Sequence, residues 1–314
     1  MSVKLGKKWL TAIPQYLFII FVASFITAIS LLIPSFLSGP NIADIMISGS
    51  ILGVIALGQM FVLIAGGVDL AVGHVAGFAG LIAGFLMVER KISLLAACLI
   101  ALSASIGIEC VAGILVGYLG VSSFIASLGN VFVLIGLRYW VTKGITVMLL
   151  PRAFRTLGIG QVGIIPVPVL LVIVLYLVNL LIVHWTPIGR YTQATGRSLR
   201  AAFLGGVNVR LYTFLSFAIA GILCAIGGFM LVARAGVANV DIGDGYMLDS
   251  FAACMLGGAL TRGRFTPTGT LIASLLVVML VAGLNMLGVN PEWVYLSKAA
   301  LILVSFLIHK LPQT

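Results

Sequence analysis

The sequence predicts an all-α polytopic membrane protein of about ten transmembrane helices, with an inverted internal repeat and some short or broken helices. Three observations predict it. Of 314 residues, 61% are hydrophobic and 8% are charged, whereas a globular surface takes about 25% charged residues to cover. Apolar runs continue for about 20 residues without strict alternation, which selects helices that bond their own backbone over a closed barrel. Two stretches rich in glycine and aspartate, 66–74 and 240–249, interrupt those runs.

In chain order, the basic start "MSVKLGKKWL" leads into an apolar run over 11–36. That run is too long for a signal-peptide core and has no A-x-A site after it, so it is expected to be a retained first span. The following spans are expected at 47–65, 74–88, 92–118, 122–142, 166–185, 211–233, 247–260, 267–288 and 293–309. The segments 74–88 and 247–260 are short, which leaves eight or nine full crossings as the alternative. Lys4, Lys7 and Lys8 precede the first span and 37–46 has no basic residue, which places the N-terminus inside. Counting forward puts 187–210 inside together with Arg262, Arg264 and Lys310. Lys143, Arg152 and Arg155 then fall outside, against the rule. The net charge of +10 is spread over short loops; it fits retention by an inner membrane face better than a nucleic-acid partner.

"VDLAVG" at 68–73 matches "VDIGDG" at 240–245, and "AGILVGYLGV" at 112–121 matches "AGLNMLGV" at 282–289. Both matches imply nearly the same displacement. It covers an odd number of expected spans, so repeats over 45–142 and 211–310 would be inverted within one domain, 1–314. Chance similarity among abundant Gly, Val and Leu is the alternative. The pairs Gly49/Gly53, Gly73/Gly77, Gly80/Gly84 and Gly113/Gly117 allow close helix packing.

The stretch "GRYTQATGRSLRAAFLGGVNVRLYT" at 189–213 carries Arg190, Arg197, Arg200 and Arg210 and no acid. Ser198 suits the N-cap of a short helix over "LRAAFL", and Gly205 or Gly206 suits its end. Leu199, Ala202 and Phe203 fall on one face and Arg200 on another. Such a helix can dock into a partner, or lie at the interface with its arginines on anionic lipid.

"GGVDLAVGH" at 66–74 places Asp69 at a glycine-rich break, where it can cap the next helix or meet a polar solute. Glu109 lies mid-span and needs a partner, for which Arg138 in the next span is the candidate; a protonated carboxyl and a proton relay are the alternatives. Asp241, Asp244 and Asp249 cluster near Tyr246, where loop and cap roles are expected for Asp241 and Asp244. His74, His184 and His309 stand alone near span ends and are expected at the interface. Cys98, Cys110, Cys224 and Cys254 sit in apolar runs without metal-ligand spacing, so no metal site is expected. No G-x-x-x-x-G-K-[ST] is present, so nucleotide chemistry is expected on a separate chain.

Three stretches carry a family resemblance. "LIAGGVDLAVGHVAG" at 63–77 resembles the G-G-I-D-L-S-V-G signature of permease subunits of ribose-type ABC sugar importers, within the branched-chain amino acid and sugar permease superfamily. "ATGRSLRAAFLGGVNV" at 194–209 and "GYMLDSFAACMLGG" at 245–258 resemble that family's cytoplasmic segment and its G-Y-E-L motif, in the same order. The resemblance implies a bacterial inner-membrane subunit that moves a monosaccharide or similar polyol. It also implies a cytoplasmic ATPase holding ATP and Mg, a second permease copy or paralogue, and an extracytoplasmic solute-binding protein. It makes 187–210 a coupling loop, with Arg197, Ser198, Leu199, Arg200, Ala202, Phe203, Gly205 and Gly206 as the contact to the ATPase. Gly66, Gly67, Asp69, Gly73, Glu109, Tyr246 and Asp249 become candidates for a path or gate, with no catalytic residue. Met247 stands where the family has Glu, "LGGALTRGRFTPTGT" at 256–270 replaces a longer glycine-rich loop, and Glu109 replaces a small or apolar residue. The rival readings are an ion-coupled secondary transporter and an intramembrane aspartyl protease using Asp69 and Asp249.

Overall fold

A computed structural model describes residues 24, 27–261 and 263–310, with the backbone alone over 304–310. Most of the expected first span lies outside the described residues, as do Lys4, Lys7, Lys8 and Arg262 and the side chains of His309 and Lys310. The remaining nine expected spans each coincide with a helix. These are α1 (Gly39–Ile64), α2 (Val72–Val88), α3 (Leu94–Gly117), α4 (Ser123–Thr142), α6 (Val167–Trp185), α9 (Val209–Ala235), α10 (Tyr246–Leu260), α11 (Pro267–Met286) and α12 (Pro291–Lys310). Among the described residues six helices (α1, α3, α4, α6, α9 and α11) are long and apolar enough to cross a membrane. At 17 and 15 residues α2 and α10 are shorter, as the interrupted pattern predicts.

Helices α1, α2 and α9 form the centre. Ile51, Val54, Ile55, Val75, Ala79, Ala225 and Val232 are completely buried among them. Around this centre α3 and α11 present one side to the core and leave large apolar residues such as Leu99, Val111 and Ile272 exposed. In water that distribution would be costly; against lipid tails it costs nothing. The outer helices therefore read as the lipid-facing ring. Helix α9 packs on α1, α2 and α3, while α1 packs on α9, α10 and α11.

One end of the bundle gathers the end of α1, the end of α3, the start of α9 and the 187–208 connection, where Gly66 meets Gly196. That connection holds α7 (Pro187–Arg197) and α8 (Leu199–Leu204). At the opposite end the 143–166 segment is not a plain loop. It contains α5 (Arg152–Ile159) and a two-stranded antiparallel hairpin, β1 (Gln161–Val162) with β2 (Ile165–Pro166). Gly158 of α5 presses on the backbone of Ala233 and Arg234, and Arg234 pairs with Asp44 at 2.6 Å.

Candidate functional site

The site is built from two places where helix gives way to irregular backbone. After α1 the chain turns at Gly66, whose φ of +87° is left-handed and would strain any residue with a Cβ. Residues 65–71 then run as a strap to the start of α2. Val68 donates its amide to Ser123 Oγ at 3.0 Å, and Asp69 Oδ1 accepts the Ala71 amide at 2.7 Å. The sequence leads one to expect Asp69 as the cap of α2. Instead it closes a turn just before that helix, whose N-cap residue Ala71 offers no side-chain bond. Asp69 and Glu109 are each 1% exposed, and Gly221 on α9 leaves room for the Glu109 stem.

The second interruption follows α9. Gly236 ends that helix with φ +72°, and Ala238 exchanges backbone hydrogen bonds with Val147 at 2.8 and 2.9 Å. The chain then turns through Gly243, at φ +96°, into α10. Here it lies directly on the first turns of α2. A Cβ at Gly73 would stand 2.5 Å from the Gly243 carbonyl oxygen, and one at Gly77 would overlap the Ile242 carbonyl. Gly228 of α9 meets the Ala76 carbonyl in the same way. The second interruption therefore rests backbone to backbone on the helix that follows the first.

A buried charged cluster fastens that junction. Arg138, on α4, is fully buried. Its Nη1 donates to the Val240 carbonyl at 2.6 Å and to Asp244 Oδ1 at 2.8 Å, and its Nη2 donates to the His74 carbonyl at 2.6 Å. His74 Nδ1 lies 2.9 Å from Asp244 Oδ1. The expected pairing of Arg138 with Glu109 is thus not what forms. Arg138 is spent on the second interruption, because that segment brings an acid and a carbonyl within reach of one guanidinium fork. His74 is likewise a buried member of this cluster and not an interfacial residue. Asp244 keeps the loop position expected of it and adds an ion pair to Arg138.

The other predicted residues separate. Asp249 pairs with Lys298 of α12 at 2.8 Å, so it ties α10 to α12 and shares no proton with Asp69. Tyr246 packs where the two main apolar clusters meet. His184 is exposed in the last turn of α6. Among the described residues no three His, Cys, Asp or Glu side chains group as metal ligands.

The arginine-rich connection forms the element its caps predict. Ser198 Oγ accepts the Ala201 amide at 3.2 Å to start α8, and Gly206, at φ +79°, follows its end. Ala202 is buried, whereas Leu199, Phe203 and Leu204 are 60%, 68% and 77% exposed. Arg190, Arg197, Arg200 and Arg210 are exposed, and none forms a salt bridge among the described residues. Behind α8 lies a cavity of about 650 Å³, lined by Arg200, Phe203, Arg210 and Ser123 and by Gly66 and Gly67 of the strap. The helix thus abuts the first interruption across a shared space. What the sequence did not show was the acid partner of Arg138. The signal was an arginine inside an apolar span, but its partner lies 106 residues away.

Comparison with known proteins assigns the family. The family described as the permease component of branched-chain amino acid transport systems matches residues 41–306. The ribose import permease protein of Bacillus subtilis is 34% identical over 286 residues, covering 90% of this chain and 88% of that protein. That of Haemophilus influenzae is 34% identical over 288 residues, at 90% and 88% coverage. The galactose/methyl galactoside import permease protein of Escherichia coli K12 is 30% identical over 299 residues, covering 88% of each chain. No solved structure matches at a significant level. With interrupted helices meeting inside an apolar bundle and a family match across most of its length, this chain belongs to the branched-chain amino acid transport system permease family.

Proposed function

We propose that this chain is the translocating subunit of a bacterial ABC importer for a monosaccharide or similar small polyol. It would lie in the cytoplasmic membrane with its N-terminus inside. The observation that carries the reading is α8: a capped helix whose exposed Leu199 and Phe203 project from the end of a membrane bundle amid exposed arginines. An apolar knob ringed by one sign of charge fits a groove with acidic edges better than it fits water. Lacking a phosphate-binding loop, the chain would draw on a separate ATPase carrying ATP and Mg. A second permease copy or paralogue and an extracytoplasmic solute-binding protein would complete the importer.

Movement entering at Arg197–Gly206 would reach the strap through the contact of Gly66 with Gly196, and from there the junction of Gly73 with Gly243. In this reading Gly66, Gly67, Asp69, Gly73, Glu109 and Tyr246 hold or line the moving parts, and Asp249 anchors α10 to α12. The matching packing of α1 and α9 on each other's following helices supports two inverted repeats, 45–142 and 211–310. The relatives are named for neutral sugars, and Arg138 and Asp244 neutralise each other inside the junction, which suits such a solute. An ion-coupled transporter is the rival that the Asp69 and Glu109 carboxyls favour.

The test is to change Arg200→Glu and Phe203→Glu separately and reconstitute each with its ATPase and binding protein. Uptake should be lost while ATP hydrolysis continues, with the chain still inserted in the membrane. Normal uptake in both variants would remove the coupling role. Uptake that needs no ATPase and collapses with an uncoupler would favour the ion-driven rival.

A further inference from the structure

Two acids face each other in the interior of the bundle. Asp69, in the strap, and Glu109, on α3, meet within hydrogen-bonding reach, each 1% exposed. Asp69 Oδ1 takes the Ala71 amide. Among the described residues Asp69 Oδ2 and both oxygens of Glu109 receive no donor from any other group. Among the described residues no Lys, Arg or His pairs with either acid. The neighbouring titratable groups are the thiols of Cys110 and Cys224, which bring no positive charge. Two ionised carboxylates cannot share such a place, and one alone needs donors.

We propose that Glu109 is a positioning residue for the strap: it keeps its acid proton and donates it to Asp69 Oδ2, holding the aspartate in the turn that starts α2. The single negative charge of the pair then resides on Asp69. There it meets the Ala71 amide and the positive end of a 17-residue helix, which favour an anion. Glu109 has neither. Through this bond α3, which otherwise flanks the core, grips the segment that joins the α8 end of the bundle to the Gly73–Gly243 junction. The consequence for transport rests on the function proposed above; the bond itself does not.

The experiment uses the purified chain in detergent, with infrared difference spectra and residue-level amide exchange. Wild type minus Glu109→Gln should show one protonated-carboxyl carbonyl band, retained in Asp69→Asn. In Glu109→Gln the side-chain amide still offers an N–H to Asp69, so exchange at Ala71 should stay within about twofold of wild type. Glu109→Leu removes the donor, and Ala71 should exchange about tenfold faster. A missing band, or an Ala71 that exchanges at the wild-type rate in Glu109→Leu, overturns the proposal. If Glu109→Leu does not accumulate, Glu109→Gln decides alone: band lost with protection kept supports it, and any other result overturns it. Neither measurement involves a solute or an ATPase, so a failure here leaves the transport reading standing.

Discussion

Removing the Arg138 side chain tests the junction most directly. Arg138→Met fills similar space but withdraws donors from Asp244, from the Val240 carbonyl and from the His74 carbonyl at once. Each charge-assisted bond contributes about 1.5–3 kcal/mol. Asp244 is the weakest loss, because its side chain is 40% exposed and water can replace part of what it loses. The two carbonyls cannot reorient without moving the backbone that Gly73 and Gly77 hold. A net cost of about 3 kcal/mol follows, short of the simple sum. For a chain of this size about 2 °C per kcal/mol is expected, so the melting temperature in detergent should fall by about 6 °C. Arg138→Lys should lose nearly as much, since one ammonium cannot serve three acceptors arranged around a fork. Asp244→Asn should cost less than half as much, and added to Arg138→Met it should cost almost nothing further. A melting temperature for Arg138→Met within about 1 °C of wild type would refute the reasoning, because it would mean the fork holds nothing.

Two further outcomes follow from local geometry. Gly77→Ala puts a methyl group on the Ile242 carbonyl, so the second interruption must lift away. Proteolysis in the 236–245 segment should accelerate, whereas Gly129→Ala, with open space around it, should leave the rate unchanged. Ser198→Ala removes the cap of a six-residue helix at a cost of about 1 kcal/mol. Amide exchange at Ala201 should rise, and Ser198→Asp, which can still accept that bond, should keep it near wild type.

The nine expected spans from 47–65 onward were legible in the sequence because lipid imposes a length and a composition on each one independently of its neighbours. The end of α8 was legible for a related reason, since Ser198 and Gly206 act within one turn of the helix they bound. Asp69 was half legible: it does close a turn, but the turn precedes α2, a distinction that depends on where α2 begins and not on the residue type. The partner of Arg138 was not legible, because Asp244 reaches it only once the second interruption has folded back onto α2. Helix α5 and its hairpin were missed for the same reason. Their anchor is the contact of Gly158 with the backbone of α9, and nothing within 143–166 itself announces it.

The direct seating of Gly73, Gly77 and Gly228 on neighbouring carbonyls has a mechanical consequence. A layer of side chains works as a cushion, since rotamers can change and take up a small displacement. Where peptide rests on peptide there is no cushion, and stiff bonds pass a shift on at full amplitude. The middle of this bundle is therefore geared, and one strand of main chain cannot travel without dragging the other.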